Sequence, residues 1–111
     1  MAQNQNLGEF EQIVLLAILR LNDQAYGVTI RREIQAHTER NTTPGALYTT
    51  LDRLEQKGFV ASRLGDPTPE RGGRAKRFYV VSPAGREAVE RAQRSYRSLM
   101  DGLRILVDGA P

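Results

Sequence analysis

No cysteine occurs in the 111 residues. That excludes a disulfide frame, a thiolate nucleophile and any Cys-ligated metal or cluster. One histidine, His37, is too few for a His-rich metal site within one chain. Long apolar runs are missing as well. The longest, Ile13 to Leu19, is far too short to span a bilayer. The N-terminus lacks the charged n-region of a signal peptide. The expectation is a soluble, cytoplasmic protein with no membrane partner. There is no Gly-rich phosphate loop, no nucleophile–base pair and no metal-ligand spacing. A non-enzyme without catalytic residues, metal or cofactor is therefore expected. Charge of neither sign dominates, with 16 Lys and Arg against 13 Asp and Glu, net +3. This mildly basic balance permits a nucleic-acid partner without demanding one. The length suits one domain with a modest core.

What is present centres on Thr42 to Gly58. Thr43 is a good N-cap, and Pro44 suits the first helical position, where a missing N–H costs nothing. Gly58 stands where a left-handed C-cap would, with Lys57 in the last turn. Leu47, Leu51 and Leu54 recur at i, i+4, i+7 and form a narrow apolar stripe. Gly45, Thr49, Asp52, Arg53 and Gln56 lie opposite, with Tyr48 on the flank. One side docks on a core; the other offers small, hydroxyl and charged groups, as a helix entering a DNA major groove requires. An ordinary amphipathic surface helix would show the same stripe.

The flanks add context. Glu9 to Leu21 reads as a helix, apolar nearly all round at its centre, with Glu9 and Glu11 at its positive end. Residues 1–6 are polar and expected to be loose. After the turn Asn22 to Ala25, Tyr26-Gly27 opens a second helix to about Thr38, with Val28, Ile30 and Ile34 inward. His37 falls near its end, as a surface or hinge residue. A short link, Glu39 to Thr42, leads to the central helix, so the pair matches a helix-turn-helix. Phe59 to Leu64 and Lys76 to Val81 read as strands. The segment between them carries two prolines and three glycines and reads as a hairpin tip. Arg71, Arg74, Lys76 and Arg77 make it basic, suited to a DNA backbone or minor groove and equally to a solvated tip. A helix-turn-helix followed by a basic hairpin is a winged helix.

Ser82-Pro83 repeats the cap logic and starts a last helix, reaching to about Val107, roughly 37 Å at 1.5 Å per residue. Val89, Ala92, Tyr96, Leu99, Leu103 and Leu106 form a heptad seam. Such a helix is too long to bury its seam on so small a domain, which points to a second subunit; folding back on the first helix is the alternative. Gly102 inside it is a weak point of about 1 kcal/mol relative to Ala. Asp108 to Pro111 is a frayed end. Tyr96 beside the small Ala92 could leave an apolar gap across a two-fold axis for a planar aromatic guest, or pack tightly in the interface.

These residues resemble a family. Leu7-Gly8-Glu9-Phe10-Glu11, Tyr26-Gly27, Gly45 to Glu55, Lys57-Gly58, Gly72 to Tyr79 and Ser82-Pro83-Ala84-Gly85 are similar to PadR transcriptional regulators. The match covers about Leu7 to Leu103. Its most specific part is Leu-Tyr-x-x-Leu-x-Arg-Leu at 47–54. The resemblance implies a winged helix-turn-helix with a C-terminal dimerisation helix, and repression relieved by a small ligand. The length resembles the subgroup with one C-terminal helix. Some of its members bind flat hydrophobic ligands in a pore lined in part by tryptophan, and this chain carries none. Carried over by position, the DNA-binding residues are Gly45, Tyr48, Thr49 and Arg53 on the recognition helix, with Thr43 at its cap. Arg71, Gly73, Arg74 and Lys76 are their counterparts in the wing. Tyr48 is expected to touch a phosphate through its hydroxyl, with its ring braced on the protein. Phosphate contacts fix register, and base contacts near Thr49 specify sequence.

The expected fold is mainly α with a small β-hairpin: a winged helix-turn-helix at 1–82 and a dimerisation helix at 83–111. The expected function is a dimeric regulator of an inverted-repeat, double-stranded DNA operator, most simply a repressor released by a small hydrophobic or aromatic effector. The dimer interface is expected at Val89, Ala92, Tyr96, Leu99, Leu103 and Leu106, and effector binding at Ala92 and Tyr96. The alternative is a winged-helix module for protein or RNA.

Overall fold

A computed structural model describes residues 6–65 and 75–103. Helix α1 (Glu9–Leu21) is followed by a single 3-10 turn at Asn22–Gln24, α2 (Gly27–Thr38) and α3 (Pro44–Gln56). Strands β1 (Val60–Leu64) and β2 (Arg77–Val81) pair antiparallel, Val60 opposite Val81 and Leu64 opposite Arg77. Helix α4 (Pro83–Met100) comes last. Among the described residues no helix is long and apolar enough to cross a membrane.

The element starts follow from caps. The Gly8 amide donates to Glu11 Oε1 at 2.8 Å, and the Tyr26 amide to Thr29 Oγ1 at 3.0 Å. Thr43 and Ser82 each accept an N3 amide, from Ala46 at 3.1 Å and Gly85 at 3.0 Å, and a proline follows each. At the end of α3, Phe59 N–H reaches Leu54 O and Gly58 N–H reaches Glu55 O, with Gly58 at φ +79°. That is a Schellman ending, and the left-handed backbone there favours glycine.

One core joins the elements. Val14, Leu15 and Ile18 of α1 meet Ile30 and Ile34 of α2, Leu47, Leu51 and Leu54 of α3, and Tyr79 and Val81 of β2. The hairpin gains a further edge partner. Tyr79 N–H donates to the Ala25 carbonyl, and Tyr26 bridges to Phe78, their rings edge to face at 5.4 Å. The wing stem is thereby tied to the start of α2.

Four expectations need correction. Val28 points outward, because α2 rotates Ile30 and Ile34 onto the core and leaves Val28 45% exposed. Val89 is buried in its own protomer's core with Ala88, so it is not available as a seam residue for another chain. Helix α4 does fold back on α1 as far as Tyr96, where Gln12 reaches Gln93 and Tyr96. Finally, α4 stops at Met100. Asp101 leaves helical geometry at ψ 128° and Gly102 adopts φ +83°, so Gly102 ends the helix rather than weakening its middle. Leu103 lies past the helix end. The expected extension to Val107, Leu106 and the frayed end at 108–111 lie outside the described residues, as do 1–5 and the hairpin tip with Arg71, Gly73 and Arg74.

Candidate nucleic-acid interface

The local sequence of α3 divides its surface cleanly. Leu47, Leu51 and Leu54 are fully buried, with Thr50 beside them. Thr43, Gly45, Tyr48, Thr49, Asp52, Arg53 and Gln56 are exposed. A Cβ at Gly45 would meet open space, so the glycine keeps the helix start slender without being required by packing. Thr43 is engaged as the cap, which leaves its hydroxyl oxygen partly committed to the protein.

Tyr48 is braced on the protein by its hydroxyl end as well as its ring. Its hydroxyl lies against the Cα of Gly27, where any side chain would collide with it. Residue 27 is thus a glycine because a ring from α3 crosses it. Lys76 is less free than expected. Its ammonium sits 4.2 Å from the centre of the Tyr26 ring, a cation–π contact at the base of the wing. The structure therefore brings Tyr48, Gly27, Tyr26 and Lys76 together where α2, α3 and the wing stem meet. Arg77 turns to Ser62 Oγ at 3.0 Å, and Ser62 in turn donates to Glu55.

The turn of the helix-turn-helix is held from both sides. Glu39 closes α2 in a left-handed conformation, φ 62°. Arg31 Nε donates to the Thr42 carbonyl at 2.9 Å. Arg40 reaches Glu9 of α1 at 2.9 Å and lies over the Phe10 ring. Surface pairs of this kind contribute about 1 kcal/mol or less each, so their role here is to orient the link. Nearby, Glu33 takes a hydrogen bond from Arg20 at 2.6 Å and faces His37 at 3.2 Å. The Arg20 bond comes first among the influences that hold this half-buried carboxyl below its ordinary value.

Sequence reasoning missed Glu11. The sequence suggests only an acid at the positive end of α1, with Lys57 in the last turn of α3 and Arg53 on its exposed face. Instead the Glu11 side chain is 5% exposed, with Lys57 Nζ at 3.0 Å and Arg53 Nη1 at 3.8 Å. Its three-residue spacing from Gly8 was legible; its burial under α3 was not. Burial pushes its pKa upward, but the Gly8 amide, Lys57 and Arg53 outweigh that and leave it lowered. A carboxylate with a depressed folded pKa adds stability above its unfolded pKa, and that stability is lost as pH falls through the folded value. Between about pH 5 and pH 3 the parent should therefore lose more thermal stability than Glu11→Gln. Melting curves across that range check this; parallel pH profiles would contradict it.

The transcriptional regulator PadR-like family matches residues 15–91, more than half of the chain. The chain belongs to that family. Its members are transcriptional regulators that bind DNA, not enzymes. Among relatives, transcriptional regulator Rv3488 of Mycobacterium tuberculosis is 36% identical over 80 residues, covering 70% of this chain and 68% of that one. The fold is shared with a PadR family transcription regulator from Clostridium difficile R20291, at TM-score 0.66 and 22% identity, covering 83% and 95% of the two chains. A PadR-like transcriptional regulator from Bacillus cereus superposes at TM-score 0.70 with 19% identity, covering 91% and 93%.

Proposed function

We propose that this PadR-like regulator works in the cytoplasm as a homodimer on an inverted-repeat, double-stranded operator, represses transcription there, and is released by a small hydrophobic or aromatic effector. The observation that carries the DNA reading is the solvent-facing side of α3, where Gly45, Thr49, Asp52, Arg53 and Gln56 stand exposed above a fully buried leucine stripe. Thr49 reads base edges. Arg53, one turn further along the same exposed face of α3, works beside Thr49; Thr43, Tyr48 and Lys76, with Arg71, Gly73 and Arg74 of the wing, set register on the backbone. Residues 1–82 form the DNA-binding unit and 83–111 the dimerisation arm.

The dimer reading is supported by uncovered apolar surface. Tyr96 is 46%, Leu99 77% and Leu103 51% exposed. A second surface lies between α1 and α2, a groove of about 340 Å³ lined by Ile13, Leu16, Ala17 and Ile34 together with Arg20, Glu33, His37 and Thr38. Surface of this kind marks an association site. Ala92 and Tyr96, one turn apart on α4, are the effector residues in this reading.

Fluorescence anisotropy against a duplex selected from a randomised library, with random duplex as reference, tests the reading. Thr49→Val removes one hydroxyl and keeps the shape. It should weaken the selected duplex by about 5–30-fold, the size of a lost base contact, and leave random duplex unchanged. Equal loss on both would argue against direct readout at Thr49. Release of the selected duplex by planar aromatic compounds, added to the same complex, tests the effector.

A further inference from the structure

Glu11 stands behind the DNA-facing helix, and the DNA reading has no use for it. Its carboxylate oxygens both lie 3.0 Å from Lys57 Nζ, and one accepts the Gly8 amide at 2.8 Å. Lys57 also donates to the Asn6 carbonyl at 3.3 Å. The second cation is Arg53, its Nη1 at 3.8 Å, too long for a hydrogen bond and close enough for charge. The Arg53 side chain is 50% exposed, whereas that of Lys57 is 22% exposed. One buried anion thus faces two cations, and the freer of them belongs to the candidate DNA face. A partly buried pair is screened by salt far less than an exposed one. Salt therefore screens Glu11 from Arg53 less than it screens a fully exposed pair.

We propose that Glu11 is a specificity-determining positioning residue, which holds the Arg53 guanidinium along α3 by charge and damps its attraction to phosphates of any sequence. The inference rests on the DNA reading above. Without the anion, Arg53 and Lys57 lose their counter-charge at the edge of the DNA face. Phosphates then supply the replacement, and phosphates carry no sequence information. Binding to every duplex strengthens, while the orientation that favours one sequence is lost.

Glu11→Gln tests this, because it keeps the volume and an oxygen for the Gly8 amide. Anisotropy titrations over a salt series would use random duplex and the duplex that the parent selects from a randomised library. Random-duplex affinity should rise by about 3–10-fold near 0.1 M salt, the size of one further phosphate neutralised. The salt slope should steepen by about 0.9 per cation released, and the selected-to-random ratio should fall. In the Arg53→Gln background the same substitution should leave that ratio unchanged. A folded Glu11→Gln that loses both affinities in equal proportion, or keeps the parent's ratio and slope, overturns the proposal. Should Glu11→Gln fail to fold, Glu11→Asp carries the test. Its shortened carboxylate stays charged but withdraws from Arg53, so the ratio must fall by a smaller amount; the parent's ratio in that variant overturns the proposal equally. A parent that selects no duplex at all overturns the DNA reading, and the inference with it.

Discussion

Leu99→Asp should turn the protein from a dimer into a folded monomer and abolish tight operator binding, although no DNA-facing residue changes. Leu99 is 77% exposed in the single protomer, so an aspartate there disturbs little within the chain. In the proposed dimer the same carboxylate enters an apolar contact without a partner, twice across the two-fold axis. Each copy costs about 3 kcal/mol. A two-fold dimer roughly adds the free energies of two half-sites, so a monomer should bind the operator about 100-fold more weakly or worse, toward the level of random duplex. Arg97→Asp, also on the exposed part of α4, is the matched control and should stay dimeric. Sedimentation at low micromolar protein, followed by anisotropy, reads both effects. A stable Leu99→Asp dimer with parental operator affinity would remove α4 from the dimer interface.

Gly85→Ala should be among the most damaging small substitutions in the chain. An added Cβ would collide with the Phe59 backbone carbonyl and press on Val81 Cγ1 at 3.0 Å. Backbone cannot swing aside as a flexible side chain can. The collision falls on a junction with several roles. Ser82 donates its hydroxyl to the Gly58 carbonyl at 2.6 Å and accepts the Gly85 amide, while the Ser82 amide reaches the Phe59 carbonyl. The end of α3, the start of β1, the end of β2 and the start of α4 are thereby pinned within a few residues. Pushing α4 off this point costs about 2–3 kcal/mol of overpacking. In a domain of this size that lowers the melting temperature by on the order of 10–20 °C. Gly45→Ala is the contrast: its Cβ has open space and gains helix propensity, so stability should hold or rise. Equal melting temperatures for Gly85→Ala and the parent would show that α4 can shift at no cost.

This junction also connects the two proposed tasks of the molecule. The last turn of α3 and the first turn of α4 share the Gly58–Ser82 contact. A change in how α4 packs therefore has a short route to the end of α3, through the Ser82 hydroxyl and the Gly58 carbonyl. The Glu11 contact supplies a second tie to α3, from α1.

Local signals were enough to determine most of the element boundaries. Thr43-Pro44 and Ser82-Pro83 start helices because a hydroxyl oxygen can cap an N3 amide and proline needs no donor there. Gly58 ends one because its left-handed backbone favours glycine. The leucine stripe of α3 and the exposed face opposite it follow from the 3.6-residue period alone. The family was legible for the same reason: its motif is a run of neighbours, Leu-Tyr-x-x-Leu-x-Arg-Leu.

Only the tertiary structure decided what depends on residues distant in the chain. The heptad spacing beyond Val89 carried no information about where the backbone would stop, and Gly102 ends α4 despite an intact apolar repeat. Val89 fits the seam by spacing, yet its neighbours in space claim it for the protomer's own core. Val28 fits an inward stripe by hydrophobicity, but the rotation of α2 is set by what Ile30 and Ile34 meet. Gly27 starts α2 as its position suggests, and only the fold shows that it also leaves room for the Tyr48 hydroxyl. Glu11 looked like a dipole-friendly acid and proves to be a buried counter-ion for the recognition helix, because its partner Lys57 lies 46 residues away. Periodicity and caps act within a few residues, so sequence could determine each element. Burial and charge pairing act between elements, so they await the fold.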